Sequence, residues 1–122
     1  MTKILVAEDE KPIAKALTLK LRHAGFEVTT VYNGADAVEE LEKEPYDLAL
    51  FDLIMPGMDG FKALETIKKK GLKTPVIILS NLSQQGDIEK AKKLGAEDYF
   101  IKSNTPVSEV IENVNNILKI KE

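Results

Sequence analysis

The feature that most constrains the fold of this chain is a regular alternation of short apolar runs with amphipathic stretches. Five strand-like runs, each five or six residues long, recur along the chain: KILVAE, FEVTTV, DLALFD, PVIILS and DYFIK. The third run is apolar along almost its whole length, which is typical of a parallel sheet covered by helices on both faces. The alternation therefore predicts an α/β fold with a doubly wound, five-stranded parallel sheet in a three-layer sandwich.

The stretches between the runs carry apolar residues at helical spacing. These positions are Ile13, Leu17, Leu21 and Ala24 in the first stretch, Gly34, Val38 and Leu41 in the second, Phe61, Leu64 and Ile67 in the third, Ile88, Ala91 and Leu94 in the fourth, and Val107, Val110, Ile111, Val114, Ile117 and Leu118 in the fifth. Asn33 and Asp59 stand at N-cap positions, and Pro106 stands at a first helical position. We therefore predict one helix after each strand.

Length and composition predict a single domain over residues 1–122. The chain is 43% hydrophobic and 30% charged, as in ordinary globular proteins, and it has no cysteine for disulfides or thiolate metal sites. The net charge is -3 and the lysines are interleaved with acids, which argues against direct nucleic-acid binding. No apolar run approaches the length of a membrane span, and the N-terminus does not resemble a signal peptide. We expect a cytoplasmic protein without membrane association.

Polar residues stand where four of the five predicted strands end. The first strand is followed by three acids at residues 8–10, the third by Asp52, the fourth ends in Ser80 and the fifth in Lys102. Each residue alone has a structural explanation, such as an acid at a helix start or a capping hydroxyl. Carboxyl ends of parallel strands share one edge of the sheet, so jointly these side chains predict a ligand site there. An all-oxygen carboxylate set suits Mg²⁺, and Lys102 adds a point charge for a phosphate or for Asp52.

Four segments match one known pattern when they are taken together: EDE after KILVA, DLALFDLIMPGMDG, TPVIILS and LGAEDYFIK. In this combination the sequence resembles the receiver domain of two-component response regulators of the chemotaxis-regulator type, over essentially its whole length. The resemblance implies a flavodoxin-like (βα)5 fold and a role in phosphorelay signal transduction. It also implies a phosphoacceptor that catalyses only its own phosphorylation and dephosphorylation, rather than an ordinary enzyme.

The resemblance also assigns the chemistry of the acidic residues. It implies that Asp52 is the phosphoacceptor, which takes a phosphoryl group from a histidine kinase or phosphotransfer protein. It implies that Glu8, Asp9 and Asp52 hold Mg²⁺ together with the main-chain oxygen of Ile54. An ionised carboxylate attacking a phosphoryl group needs no general base, and the cation neutralises charge on the transferring oxygens.

Three further residues receive roles from the same resemblance. Lys102 corresponds to the lysine beside the phosphoryl group, Ser80 to the hydroxyl that follows this group, and Tyr99 to the aromatic residue that rotates with it. The implied output is a changed surface made by the fourth helix, the fifth strand and the fifth helix. A downstream protein is expected to bind there.

The sequence departs from the family pattern at three places. Glu8 replaces the commoner Asp and is one methylene longer. Ser103 follows Lys102 where the family usually has proline, often after a cis bond, and a cis bond before a residue other than proline costs about 3 kcal/mol. The fifth helix contains no arginine, so the charge network of receivers that dimerise there lacks its basic members. We expect a monomer or a weak dimer.

Three other classes of protein fit parts of the pattern. A haloacid-dehalogenase-type phosphatase also uses an Asp nucleophile, but Ile54 stands where its general acid would be. A flavin mononucleotide carrier shares the architecture, but the first turn, AEDEKP, is acidic and lacks a phosphate cradle. A degenerate receiver that acts without phosphorylation would lack the acceptor, the lysine or the hydroxyl, and this sequence has all three.

Overall fold

The protein is described by a computed structural model that covers residues 2–121. Its elements are β1 (Lys3–Ala7), α1 (Lys11–His23), β2 (Glu27–Val31), α2 (Gly34–Lys43), β3 (Leu48–Phe51), α3 (Gly60–Lys69), β4 (Val76–Ser80), α4 (Gln85–Lys93), β5 (Asp98–Ile101), a 3-10 turn (Lys102–Asn104) and α5 (Val107–Lys121). The predicted sequence of five strand–helix units is confirmed. No helix within residues 2–121 combines the length and the apolar composition that crossing a membrane requires.

The five strands form one parallel sheet in the order β2-β1-β3-β4-β5. The chain runs outward from β1 to β2 and then crosses back to β3, so the winding direction reverses beside β1. In sheets of this kind the crevice at the reversal, outside the carboxyl ends of the strands, is where ligands bind. The Asp52 N–H continues the pairing by donating to the Ala7 carbonyl oxygen at 3.0 Å, which places the residues after β1 and β3 side by side.

Two apolar cores lie on opposite faces of the sheet. The side chains of α2, α3 and α4 pack on one face around Phe51, and those of α1 and α5 pack on the other face around Leu50. Neighbouring strand residues point to opposite faces, so a strand buried on both sides must be apolar throughout. This arrangement confirms the predicted three-layer, doubly wound sandwich.

The helix ends match most of the sequence prediction. Asn33 and Asp59 are N-caps, and their side-chain oxygens accept main-chain N–H groups at 2.8 and 2.9 Å. Ala24, which was assigned to the apolar face of the first helix, lies instead at the C-cap of α1 and is exposed. The helix ends there because Gly25 adopts a φ of 98°, a conformation that favours glycine. Pro106 lies one residue before the first residue of α5.

The loop between β3 and α3 is held down at two glycines. The Gly34 N–H at the start of α2 donates to the Met58 oxygen at 3.1 Å, and a Cβ on Gly34 would lie only 2.2 Å from that oxygen. A Cβ on Gly60 would lie 2.5 Å from the main-chain oxygen of Asp52. The absence of side chains at both positions therefore lets the loop after Asp52 pack directly against its neighbours.

Candidate functional site

Three carboxylates meet at the carboxyl ends of β1 and β3. Glu8, Asp9 and Asp52 each offer one oxygen, and these oxygens all lie within 4.8 Å of one another. Glu8 is only 2% exposed and Asp52 only 6% exposed, whereas Asp9 is half-buried. The structure thus brings together three of the four acids that the strand-end pattern singled out, because β1 and β3 are neighbours. Glu10, the fourth, is exposed and lies outside this group.

The ammonium group of Lys102 lies between two of these carboxylates. Lys102 Nζ donates to Asp52 Oδ2 at 2.9 Å and forms an ion pair with Glu8 Oε1. The sequence predicted a charge beside Asp52, but it gave no indication of the contact with Glu8. Burial alone would lower the pKa of Lys102, but hydrogen bonds to Glu8 and Asp52 outweigh this effect and raise it. Lys102 is therefore a fixed cation.

The charge at the site is not balanced by Lys102 alone. Three carboxylates face one ammonium group, which leaves a formal charge of -2 when all three acids are ionised. Burial raises the pKa of Glu8 to about 7, although the hydrogen bonds from Lys102 and from the Glu10 N–H act in the opposite direction. The site therefore favours an additional positive charge, whether a proton or a metal cation.

The donor set fits Mg²⁺ better than a transition metal. All candidate ligands are carboxylate oxygens, which suit hard cations, and the chain has no cysteine. The Asp9 carboxylate makes no hydrogen bond with any other residue in the described part of the chain, so it is available to a cation. The Ile54 N–H donates to Asp52 Oδ1 at 3.3 Å. The role of the Ile54 oxygen as a ligand stays a prediction.

Ser80 and Tyr99 are connected through the main chain of Leu82. Ser80 is fully buried at the end of β4, and its Oγ accepts the Leu82 N–H at 3.3 Å. The Tyr99 hydroxyl donates to the Leu82 oxygen at 2.6 Å. Burial raises the pKa of Tyr99, with a further contribution from the charge of Asp87. The two predicted switch residues thus contact the same short segment, and their movement stays a prediction.

Asn81, in the loop after β4, contacts the turn that contains Lys102. All peptide bonds within residues 2–121 are trans, including the one between Lys102 and Ser103. The Ser103 N–H donates to Asn81 Oδ1 at 3.1 Å. Asparagine in a loop after a strand is common for turn formation alone, so the sequence held no signal that Asn81 reaches the residue after Lys102.

Comparisons with known proteins agree with this geometry. A profile of the response regulator receiver domain matches residues 4–115. The regulatory protein VanRc of Enterococcus gallinarum is 38% identical over 117 residues, which cover 96% of this chain and 50% of that protein. The transcriptional regulatory protein DltR of Streptococcus agalactiae serotype III is 38% identical over 100 residues, which cover 82% of this chain and 45% of that protein.

A solved structure gives the same result over the full length. The receiver domain of the Francisella response regulator 1452 superposes with a TM-score of 0.94 at 33% identity, covering 100% of both chains. The present chain spans about half the length of the curated relatives it matches. Fold, acidic site and family match therefore lead to one conclusion: this chain belongs to the receiver domain family of two-component response regulators.

Proposed function

We propose that residues 1–122 act as one domain that accepts a phosphoryl group on Asp52 from a histidine kinase or phosphotransfer protein. The observation that carries this proposal is the position of Lys102 Nζ, 2.9 Å from Asp52 Oδ2 inside a buried acidic cluster. A buried aspartate held beside a fixed cation is placed as a nucleophile, and its phosphorylation would add negative charge beside that cation. Lys102 is placed to neutralise part of that charge.

The phosphoryl transfer follows from these positions. A carboxylate oxygen of Asp52 forms a bond to phosphorus while the bond between phosphorus and the donor breaks, and the donor leaves with the electron pair. Lys102 stabilises the charge that develops on the transferring oxygens. Mg²⁺, when bound, would neutralise the remaining negative charge and orient the donor. The chain's own task is therefore chiefly to position one nucleophile and one cation in a largely buried site.

We assign the metal to Glu8, Asp9 and Asp52, with the main-chain oxygen of Ile54. Support comes from the all-oxygen donor set, from the free carboxylate of Asp9 and from the excess of three carboxylates over one ammonium group at the site. The longer side chain of Glu8 already engages Lys102. In this assignment Glu8 serves both the lysine and the metal.

We propose that phosphorylation changes the protein surface through a movement that begins at Ser80. A shift of the buried Ser80 hydroxyl toward the phosphoryl oxygens would alter its bond with Leu82, which in turn holds the Tyr99 hydroxyl. Tyr99 lies on β5 and packs on the same face of the sheet as α4. A downstream protein that binds the face of α4, β5 and α5 should therefore prefer the phosphorylated form and slow its decay.

Intact-protein mass spectrometry after incubation with acetyl phosphate and Mg²⁺ tests the proposal. The wild type should gain one phosphoryl group, Asp52→Asn should gain none, and the matched control Asp47→Asn should behave as the wild type, since Asp47 lies at the opposite end of β3. With beryllium fluoride and Mg²⁺, the amide signals near Asp52, Ser80 and Tyr99 should shift. A wild type that gains no phosphoryl group at any Mg²⁺ concentration would instead indicate an interaction module that works without phosphorylation.

A further inference from the structure

One side chain links the two loops that carry Ser80 and Lys102. Asn81 follows Ser80 directly, and its Oδ1 accepts the N–H of Ser103, the residue directly after Lys102, at 3.1 Å. We propose that Asn81 is a positioning residue that holds the turn containing Lys102 in register with the end of β4. The inference rests on the proposed function, because the position of Lys102 matters for transfer only if Asp52 is the acceptor.

The turn that Asn81 contacts has little else to fix it. Within the Lys102–Asn104 turn the Thr105 N–H reaches the Lys102 oxygen only at 3.5 Å, which is long for a hydrogen bond, and the turn has no side-chain cap. The side chains of Ser103 and Asn104 are exposed. Packing and hydrogen bonds within the turn therefore contribute little. Of the two main-chain hydrogen bonds from the Thr105 N–H and from the Ser103 N–H, the 3.1 Å bond from Ser103 to Asn81 is the better formed.

This turn must place Lys102 accurately because the ammonium group of Lys102 has two partners. Its ammonium group must reach Glu8 and Asp52 at once, and its long stem can do so in many conformations. The main-chain position of Lys102 decides which of these conformations bring Nζ between the two acids. An error of about 1 Å in the placement of such a group is enough to slow a reaction substantially. A bond at the neighbouring Ser103 N–H limits that error.

The bond exists because residue 103 is not proline. Proline has no main-chain N–H, so a proline at this position would leave Asn81 Oδ1 without this donor. The trans bond between Lys102 and Ser103 presents the N–H toward the loop after β4. The pair Asn81 and Ser103 thus replaces, with a hydrogen bond, the rigidity that a proline ring would give to the turn.

The geometry separates this role from metal binding. Glu8, Asp9 and Asp52 follow β1 and β3, whereas Asn81 and Ser103 follow β4 and β5. Among residues 2–121, Asn81 and Ser103 contact none of these acids, and only Lys102 connects them to the metal ligands Glu8 and Asp52. Loss of the bond should therefore slow the step that depends on Lys102 and change Mg²⁺ affinity by a smaller factor. A general loss of structure would change both quantities to a similar extent.

The kinetic test compares Asn81→Ala with Asn104→Ala, an exposed asparagine whose side chain makes no hydrogen bond within the described chain. At saturating Mg²⁺ and acetyl phosphate, Asn81→Ala should be phosphorylated about fivefold more slowly than the wild type, the effect of one lost hydrogen bond. Its Mg²⁺ affinity, measured by NMR titration without a phosphoryl donor, should change by a smaller factor than the phosphorylation rate. Asn104→Ala should match the wild type in both measurements. An unchanged phosphorylation rate in Asn81→Ala would overturn the proposal.

A second test does not depend on phosphorylation. The Ser103 amide should exchange more slowly with water in the wild type and Asn104→Ala than in Asn81→Ala, and Asn81→Asp should restore the protection because its carboxylate accepts the same bond. Nitrogen relaxation should report a more mobile main chain at Lys102 in Asn81→Ala. If the wild type takes no phosphoryl group, the proposed function fails, while these amide measurements still decide the positioning role. Equal exchange of the Ser103 amide in wild type and Asn81→Ala would refute it.

Discussion

The chain pairs lysines with carboxylates in two environments that differ in exposure much more than in geometry. On the surface, Lys69 lies 3.2 Å from Glu65, with side chains 72% and 41% exposed. In the site, Lys102 lies 2.9 Å from Asp52, with side chains 12% and 7% exposed. Exposed pairs contribute about 0–1 kcal/mol, whereas a buried pair must first offset the loss of hydration. Two ion pairs of similar length can therefore differ greatly in their contribution to the free energy of unfolding.

Glu65 and Glu8 each have a lysine partner that lowers the pKa of the acid, yet the net pKa shifts of the two acids are opposite. The hydrogen bond from Lys69 lowers the pKa of Glu65. Burial raises the pKa of Glu8 to about 7, although Lys102 is its direct partner. The difference shows that, for the pKa of Glu8, the effect of burial exceeds the effect of the ion pair with Lys102. The buried charges are thus poor candidates for stabilisers of the fold, and their arrangement is explained by the chemistry proposed for Asp52.

The largest difference between the two environments is expected in phosphorylation itself. Asp52→Asn removes the nucleophile and should abolish the gain of a phosphoryl group, while Glu65→Gln should have no effect. Because Asp52→Asn also relieves repulsion among the clustered acids, the metal-free variant should unfold at a temperature no lower than the wild type. Mass spectrometry and thermal unfolding check the two statements. Phosphorylation of Asp52→Asn at the wild-type rate would show that the nucleophile lies elsewhere.

The next largest difference is expected between Lys102→Ala and Lys69→Ala. Loss of Lys102 should slow phosphorylation by about 100-fold, the usual effect of losing one group that stabilises a transition state. It should also lower the free energy of unfolding by about 1–3 kcal/mol at pH 8, because two buried acids lose their partner. Lys69→Ala should stay within about 0.5 kcal/mol of the wild type.

The stability loss in Lys102→Ala should depend on pH. Without the lysine, the pKa of Glu8 rises further, so Glu8 is protonated at pH 5.5 and only Asp52 is then left without its charge partner. The stability loss should therefore be smaller at pH 5.5 than at pH 8. Urea unfolding at pH 5.5 and pH 8 measures this difference. An equal loss for Lys102→Ala and Lys69→Ala would contradict the contrast between buried and surface pairs.

The pH dependence of wild-type stability gives a further contrast between Glu8 and Glu65. The folded pKa of Glu8 is about 7, against an ordinary value of 4.5. Its contribution to stability is therefore fully present below about pH 4.5 and is lost as pH rises through about 7, a change of about 3 kcal/mol. In metal-free buffer, Glu8→Gln should flatten this dependence, and Glu65→Gln should not. Stabilisation by Mg²⁺ should increase over the same range, since the cation needs the ionised carboxylate.

The smallest effect concerns the lifetime of the phosphoryl group. Ile54 is 57% exposed, two residues after Asp52, and its side chain cannot orient an attacking water by hydrogen bonding. Ile54→Asn should speed dephosphorylation about fivefold, the effect of one added hydrogen bond. Leu19→Asn is the matched control, because Leu19 is a similarly exposed apolar residue on α1, away from the site. Equal lifetimes in Ile54→Asn and the wild type would remove this explanation.

Much of the fold followed from local patterns, since the strand-like runs and their polar ends are visible in short segments. The meeting of Glu8, Asp9 and Asp52 followed from the parallel sheet alone. Ala24 was misplaced because apolar periodicity continues past a helix end that is decided by the backbone of Gly25.

The contact of Lys102 with Glu8 and the bond between Asn81 and Ser103 were not predictable from the sequence. Each joins residues that are far apart in the chain, and each depends on the reach of a side chain across the assembled edge of the sheet. The periodicity and spacing of residues in the sequence do not indicate such side-chain contacts. These contacts become visible only when the strands are placed in order.

The two glycines that contact the β3–α3 loop have a consequence for loop grafting. The path of residues 53–59 depends on the missing side chains at Gly34 and Gly60, which admit the Met58 and Asp52 main-chain oxygens, and on Gly57, whose φ is 70°. Part of the information that fixes the loop therefore lies outside the loop. A foreign loop of the same length that keeps glycine at position 57, transplanted between Asp52 and Gly60, should keep this path and bring only its own chemistry at position 54. The same transplant into a host with alanine at position 34 should lose the path.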